Sequence, residues 1–246
     1  MKSKLLYITL AMLWVLSDVS CKKDGNPKTS GASSLTIVNA VVGSTSLLPN
    51  FNSNVPLAYF STATQIGYAS SLEFGSYVGN VPLALYDYTD TTKAIFKSTL
   101  AIPAYSIKSL FLTGTLTAPD YLFTTDQVPD LAFADSLCAV RFVNLSPGSN
   151  PVSVDIQGGP NGSEVSSLSY KNITSFKKYS AKWNIPDYNF EIRDVSSGVV
   201  LATYDLTGVN YGDDGDQNQN LVRDHSFTIV FYGAVGSQGT FLVNNY

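Results

Sequence analysis

At 246 residues the chain is long enough to bury a real core, either as one large β-domain or as two ordinary ones. Charged residues make up only 14%, while 15 Tyr and 13 Phe accompany many Val, Ile and Thr, a composition of strand formers that points to an all-β protein. A formal net charge of -4 leaves no basic field to gather phosphate backbones, which excludes nucleic acid as a natural partner.

Lys2 and Lys4 precede an apolar run from Leu5 to Leu16, and small and polar residues follow up to Ser20-Cys21. This is the three-part layout of a secretory signal, covering residues 1–20. The apolar run falls short of the roughly twenty residues a bilayer-spanning helix needs, so removal is expected rather than permanent anchorage. Cys21 stands where lipoprotein processing places its acceptor, and Lys22-Lys23-Asp24-Gly25 resembles the start of mature lipoproteins in Bacteroidota-type bacteria. Asp18 departs from that pattern, which usually carries an aliphatic residue three places before the cysteine. A plain secreted form and an uncleaved anchor are the alternatives. The resemblance implies palmitate-type acylation at Cys21 and a place in the outer membrane, with the periplasmic and surface faces both open. More than one acyl chain, at ~0.8 kcal/mol per buried methylene, would make that attachment stable. Residues 21–34, ending in DGNPKTSGASS, have no apolar periodicity and read as a flexible tether.

Beyond the tether, apolar residues recur at every second position in short runs punctuated by Gly, Pro, Asn and Asp, which is the pattern of strands and turns. Leu35 to Ala40 opens this region, and Val140 to Leu145 echoes it about 105 residues later. Leu83 to Asp87 pairs in the same way with Phe190 to Asp194, and Ile95 to Leu100 with Val199 to Leu206. Ser109 to Gly114 then matches Thr228 to Gly233, and the halves close near Tyr121 to Thr124 and Thr240 to Val243. A repeat of about seven short strands predicts two tandem immunoglobulin-like or transthyretin-like β-sandwiches, at 35–124 and 137–246. A linker over 125–136 separates them, where Pro129 and the acidic residues break the alternation. A single larger sandwich or barrel with internal symmetry is the other reading.

VRFVNLSPGSNPVSVDI from Val140 to Ile156, YKNITSFKKY from Tyr170 to Tyr179 and FTIVFYG from Phe227 to Gly233 resemble the family known as domain of unknown function 4397. The resemblance covers Leu137 to about Val243. The first half follows it more loosely and departs most around Ser44 to Asn54. It implies a β fold and an envelope location, and brings neither an activity nor site residues.

Chemistry-bearing motifs are sparse. His225 is the only histidine, beside Asp224 at the edge of a predicted strand, and no serine sits in a Gly-x-Ser-x-Gly elbow. Glu is confined to Glu73, Glu164 and Glu191, which gives little material for a carboxylate pair. Cys138 at a strand start reads as a small buried hydrophobe. Two features remain as candidate sites. Asp214, Asp216, Asn218 and Asn220 offer oxygen ligands at every second residue, as in a calcium loop. Against a full calcium motif, Gln219 replaces the sharp-turn glycine and His225 the bidentate glutamate, so a solvated loop is the simpler reading. Trp183 offers a ring on which a sugar could stack, although it and the nearby Tyr179 and Tyr188 could equally be core.

The function expected from the sequence is therefore non-enzymatic. It is that of a lipid-anchored envelope protein with an adhesive, structural or ligand-binding role, whose partner is an envelope protein or a glycan. A carbohydrate-binding surface lipoprotein is the alternative. No cofactor is expected beyond a structural calcium ion.

Overall fold

The alternating runs close into four sheets of four strands each. The computed structural model describes residues 31–52, 64–76, 78–211 and 220–245. The expected signal segment 1–20, Cys21 and the expected tether up to residue 30 lie outside the described residues. In the first half the strands are β1 (Ser33–Asn39), β2 (Ser46–Asn50), β3 (Ile66–Gly67), β4 (Ser70–Ser76), β5 (Gly79–Asp87), β6 (Asp90–Ile102), β7 (Ile107–Gly114) and β8 (Pro119–Thr125). A single 3-10 turn at Phe133–Asp135 precedes the second half. There the strands are β9 (Leu137–Asn144), β10 (Val152–Ile156), β11 (Val165–Leu168), β12 (Lys177–Ser180), β13 (Tyr188–Asp194), β14 (Val200–Leu206), β15 (Ser226–Tyr232) and β16 (Gly239–Asn244).

The two halves have the same topology. Sheet orders β4-β1-β7-β8 and β3-β2-β5-β6 in the first become β12-β9-β15-β16 and β11-β10-β13-β14 in the second. Even the register repeats: β1 runs parallel to β7 with Asn39 beside Leu112, and β9 runs parallel to β15 with Asn144 beside Phe231. The chain is thus the expected all-β tandem of sandwiches, with eight strands in each half where alternation alone suggested about seven. The short edge strands β3, β11 and β12 are too brief to declare a period. The stretch from Ser44, where the sequence halves diverge most, nevertheless makes β2, which pairs with β5 as β10 pairs with β13.

Each sandwich buries one apolar face of both its sheets. Leu35, Ile37, Leu110 and Leu112 meet Leu47, Leu83, Leu85 and Leu100 in the first core. Val140, Phe142, Phe227 and Ile229 meet Val154, Phe190, Ile192 and Leu206 in the second. A third cluster joins the halves, where Val38, Ala40 and Phe111 from the opposite face of the β1–β7 sheet pack on Val143, Leu145, Val230 and Val243. The two inner sheets are therefore covered on both faces, which explains why β1, β7, β9 and β15 are buried at nearly every position. An antiparallel sheet more often keeps one face wet. Residues 31–246 form one compact unit.

Polar residues recur at matching places. Asn39 donates to the Ile66 carbonyl and accepts from the Val41 amide and the Ser44 hydroxyl. Asn144 donates to the Leu168 carbonyl and accepts from the Ser146 amide and the Ser149 hydroxyl. Both asparagines are fully buried, and each closes the loop after the first strand of its half by satisfying backbone groups that water cannot reach. Gly114 and Gly233 end β7 and β15 with φ of +78° and +95°. A Cβ at either would strike the carbonyl oxygen of Ala118 or Ser237, so only glycine fits.

Candidate functional site

Three loops gather at one end of the second sandwich, and a single side chain ties them. Asn220 donates to the carbonyls of Ala181 (3.0 Å) and Val209 (2.8 Å), while its oxygen accepts from the amides of Val222 (3.1 Å) and Arg223 (2.9 Å). Asp187 accepts from the Val209 amide at 3.0 Å, and Arg223 reaches the Ala181 carbonyl at 3.4 Å. Beneath this clasp Ala181, Val209 and Val222 belong to the second core. The loop backbones are consequently fixed from below and from within.

On the outside of the clasp stand three apolar side chains. Trp183 is 53% exposed, Tyr211 43% and Leu221 71%. Trp183 and Tyr211 each lie two residues past a clasped carbonyl, and Leu221 follows Asn220 itself. Large apolar side chains exposed on loops whose backbones are tied down are groups that recognition surfaces use. Tyr211 and Leu221 carried no signal in the sequence beyond flanking the polar run from Gly212 to Gln219.

The other expected site residues sort as follows. Asp214, Asp216 and Asn218 lie outside the described residues. Asn220, grouped with them as a calcium ligand, has its oxygen engaged by two backbone amides. Among the described residues no three of His, Cys, Asp and Glu converge on a point where a metal could sit. Tyr179 and Tyr188 pack edge to face at 5.4 Å and contact Phe190, which in turn meets Phe142 at 5.2 Å, so these rings are core. Of the three aromatics named for sugar stacking, Trp183 is exposed, Tyr188 partly buried and Tyr179 buried.

The titratable groups are largely committed to one another. Arg141, almost fully buried, donates to Asp126 at 2.9 Å and to Thr228 at 2.8 Å, with the Phe176 ring 4.5 Å from its guanidinium carbon. Asp126 also accepts from Ser109 and Thr124, and Thr228 donates to Asn245. On the outer face of the second sandwich Arg193 bridges Asp155 and Glu191. Glu164 accepts from Lys177 and Tyr179 at 2.7 and 2.6 Å. Burial pushes its carboxyl up, but those two donors and the Lys177 charge outweigh it and leave the group below its ordinary range. Burial also raises the Cys138 thiol to about 12, so it is an inert hydrophobe as its position in β9 suggested. His225 is exposed at the start of β15, its ring nitrogen 2.8 Å from the Arg223 carbonyl and its ring stacked near Phe227.

Asp194 supplies a pH dependence. The Ser196 hydroxyl, then the Asn150 amide and Ser197, hold its carboxyl well below the usual range. A depressed carboxylate stabilises the fold above its unfolded value near 3.8, and this contribution disappears as pH falls through the folded value. Acid unfolding monitored by circular dichroism should therefore lose part of its pH dependence below about pH 4 in Asp194→Asn, compared with wild type.

No family model and no curated protein matches the chain. Among solved structures it is similar to CBMbc of family CBM26 from Eubacterium rectale Amy13K, in complex with maltoheptaose. That match is 9% identical and covers 87% of this chain and 97% of that one, with a TM-score of 0.26. It is also similar to a DUF3823 family protein from Bacteroides ovatus ATCC 8483, at 7% identity over 67% of this chain and 90% of that one, with a TM-score of 0.17. At such scores neither structure says what this chain binds.

Proposed function

We propose that the protein is a lipid-anchored component of the bacterial outer membrane, held through Cys21, whose paired sandwiches present a non-enzymatic binding surface at the loop end of the second one. The observation that carries this reading is the exposure of Trp183, Tyr211 and Leu221 on three loops whose backbones Asn220 ties together. It is supported by the way buried ionisable groups of the described residues close on one another, with the ring nitrogen of the sole histidine against the Arg223 carbonyl. A protein or a glycan on the envelope surface fits such a patch, in which the Trp183 and Tyr211 rings stand with the aliphatic Leu221.

Cross-linking and capture from intact envelopes test it. Wild type should retain a specific partner, while Trp183→Ala with Tyr211→Ala should weaken capture by about thirtyfold, the effect of losing roughly 2 kcal/mol of central contact. Cys21→Ala should leave the membrane fraction and take no labelled palmitate. Unchanged capture by the double variant would remove the loop end from the reading, and a glycan array probed in parallel separates a sugar partner from a protein one.

A further inference from the structure

The chain enters the first sandwich at the end where β6 turns into β7. Gly31 is buried against the Tyr105 ring, where a Cβ would stand 2.5 Å from a ring carbon. Ser33 donates to the Pro103 carbonyl at 2.8 Å and accepts from the Ser106 amide at 3.3 Å, so the turn that carries Tyr105 is fastened to the entering strand. In the repeat this end corresponds to the one where β14 leads into β15, which bears Trp183, Tyr211 and Leu221. The junction between the halves decides whether the two ends point the same way. Near the start of β7, Ser109 donates to Asp126, which also accepts from Arg141 of β9. Near the end of β7, Thr113 donates to the Leu145 carbonyl just past β9. The run from Ser109 to Thr113 therefore matches the run from Arg141 to Leu145 in the same direction. The entering chain and the clasped loops lie at one end of the molecule.

We infer that this end faces the membrane, and that the partner of the Trp183, Tyr211 and Leu221 patch is an integral protein of that membrane, met on its membrane-proximal surface. The inference rests on the acylation of Cys21 proposed above. Gly31 lies ten residues past Cys21, a length with an r.m.s. span of about 17 Å and a full extension of about 35 Å. The nine residues of β5 alone run about 30 Å between the two ends of the first sandwich. The opposite end therefore meets the bilayer only with the tether drawn straight along the domain, which costs conformational entropy. Asp187 and Asp224 are exposed on the clasped loops against Lys182, and the sequence between Tyr211 and Asn220 adds Asp213, Asp214 and Asp216 without a cation. An anionic lipid surface repels that charge, whereas a protein can meet it with a basic rim around an apolar pocket.

The acylated chain lacking residues 1–20 has Trp183 as its one tryptophan and is reconstituted on vesicles of phosphatidylethanolamine and phosphatidylglycerol carrying a dansyl-labelled headgroup. Energy transfer from Trp183 should exceed severalfold that of a Trp183→Phe, Tyr88→Trp variant, whose indole stands on the β5–β6 turn at the opposite end. Forty Gly and Ser residues inserted after Ser30 raise the tether span to about 39 Å and should remove the difference. In intact cells, a photoreactive residue at position Leu221 should give adducts with proteins that resist alkaline extraction from the membrane, and one at position Val235, on the β15–β16 turn, should not. Equal transfer from both indoles overturns the orientation while leaving the anchor in place. Labelling from Leu221 that yields lipid, extractable proteins or nothing overturns the choice of partner. A wild-type chain that takes no acyl group overturns the anchoring, and this inference with it.

Discussion

Arg141→Ala should destabilise the protein by about 3–5 kcal/mol in urea unfolding, a large share of the roughly 5–15 kcal/mol that holds a typical domain together. Removing the guanidinium leaves Asp126 buried and charged with only the Ser109 and Thr124 hydroxyls to answer it. Thr228 loses the Nε donor as well, and the Phe176 ring loses the cation beneath it. The loss comes from stranding a partner rather than from the intrinsic worth of the pair, so a double replacement is the informative control. Arg141→Met with Asp126→Asn should recover much of the stability, because a buried ion pair exchanged for neutral groups of similar volume is often nearly neutral. Equal destabilisation in the single and double variants would show that Arg141 acts through packing alone.

How far the sequence disclosed this arrangement depends on whether the deciding contact was local. β1 with β9 and β7 with β15 were legible because β-branched and aromatic residues alternate over six or more positions, and Gly114 and Gly233 mark where each run must turn. The covering of the inner sheets on both faces was not. Val38, Phe111, Val143 and Val230 were apolar hints at outward positions, but Thr36, Ser109 and Arg141 share those faces and mimic a solvated surface. Arg141 finds its counter-charge in Asp126, a residue of the stretch read as a linker, and alternation cannot announce a partner that has no period. At the candidate site, Trp183 was visible by residue type alone. The role of Asn220 was not, since an asparagine in an acidic run reads as an oxygen ligand, whereas here its amide group satisfies four backbone groups on three loops.

Phe111→Ala offers the second large effect, and it probes whether the two sandwiches unfold together. Phe111 is fully buried between them, in the cluster with Val143, Leu145 and Val230, so truncation should cost about 3–5 kcal/mol through lost burial and a residual cavity. The cross-half contacts extend beyond this cluster. Thr113 donates to the Leu145 carbonyl at 2.6 Å, Lys171 meets Asp120 at 2.6 Å, and Tyr68 packs edge to face on Tyr232. Such a junction couples the halves if its free energy exceeds the stability of either half alone. In a mature form lacking the proposed signal segment, and with it Trp14, Trp183 is the remaining tryptophan and reports on the second sandwich, whereas Phe111 belongs to the first. In wild type, circular dichroism and Trp183 fluorescence should follow one transition in urea. In Phe111→Ala that single transition should shift to lower urea for both probes, with fluorescence moving although the substitution lies in the other half. Two transitions in wild type, or a fluorescence midpoint untouched by the substitution, would mean that the shared core is a contact between independently folding units.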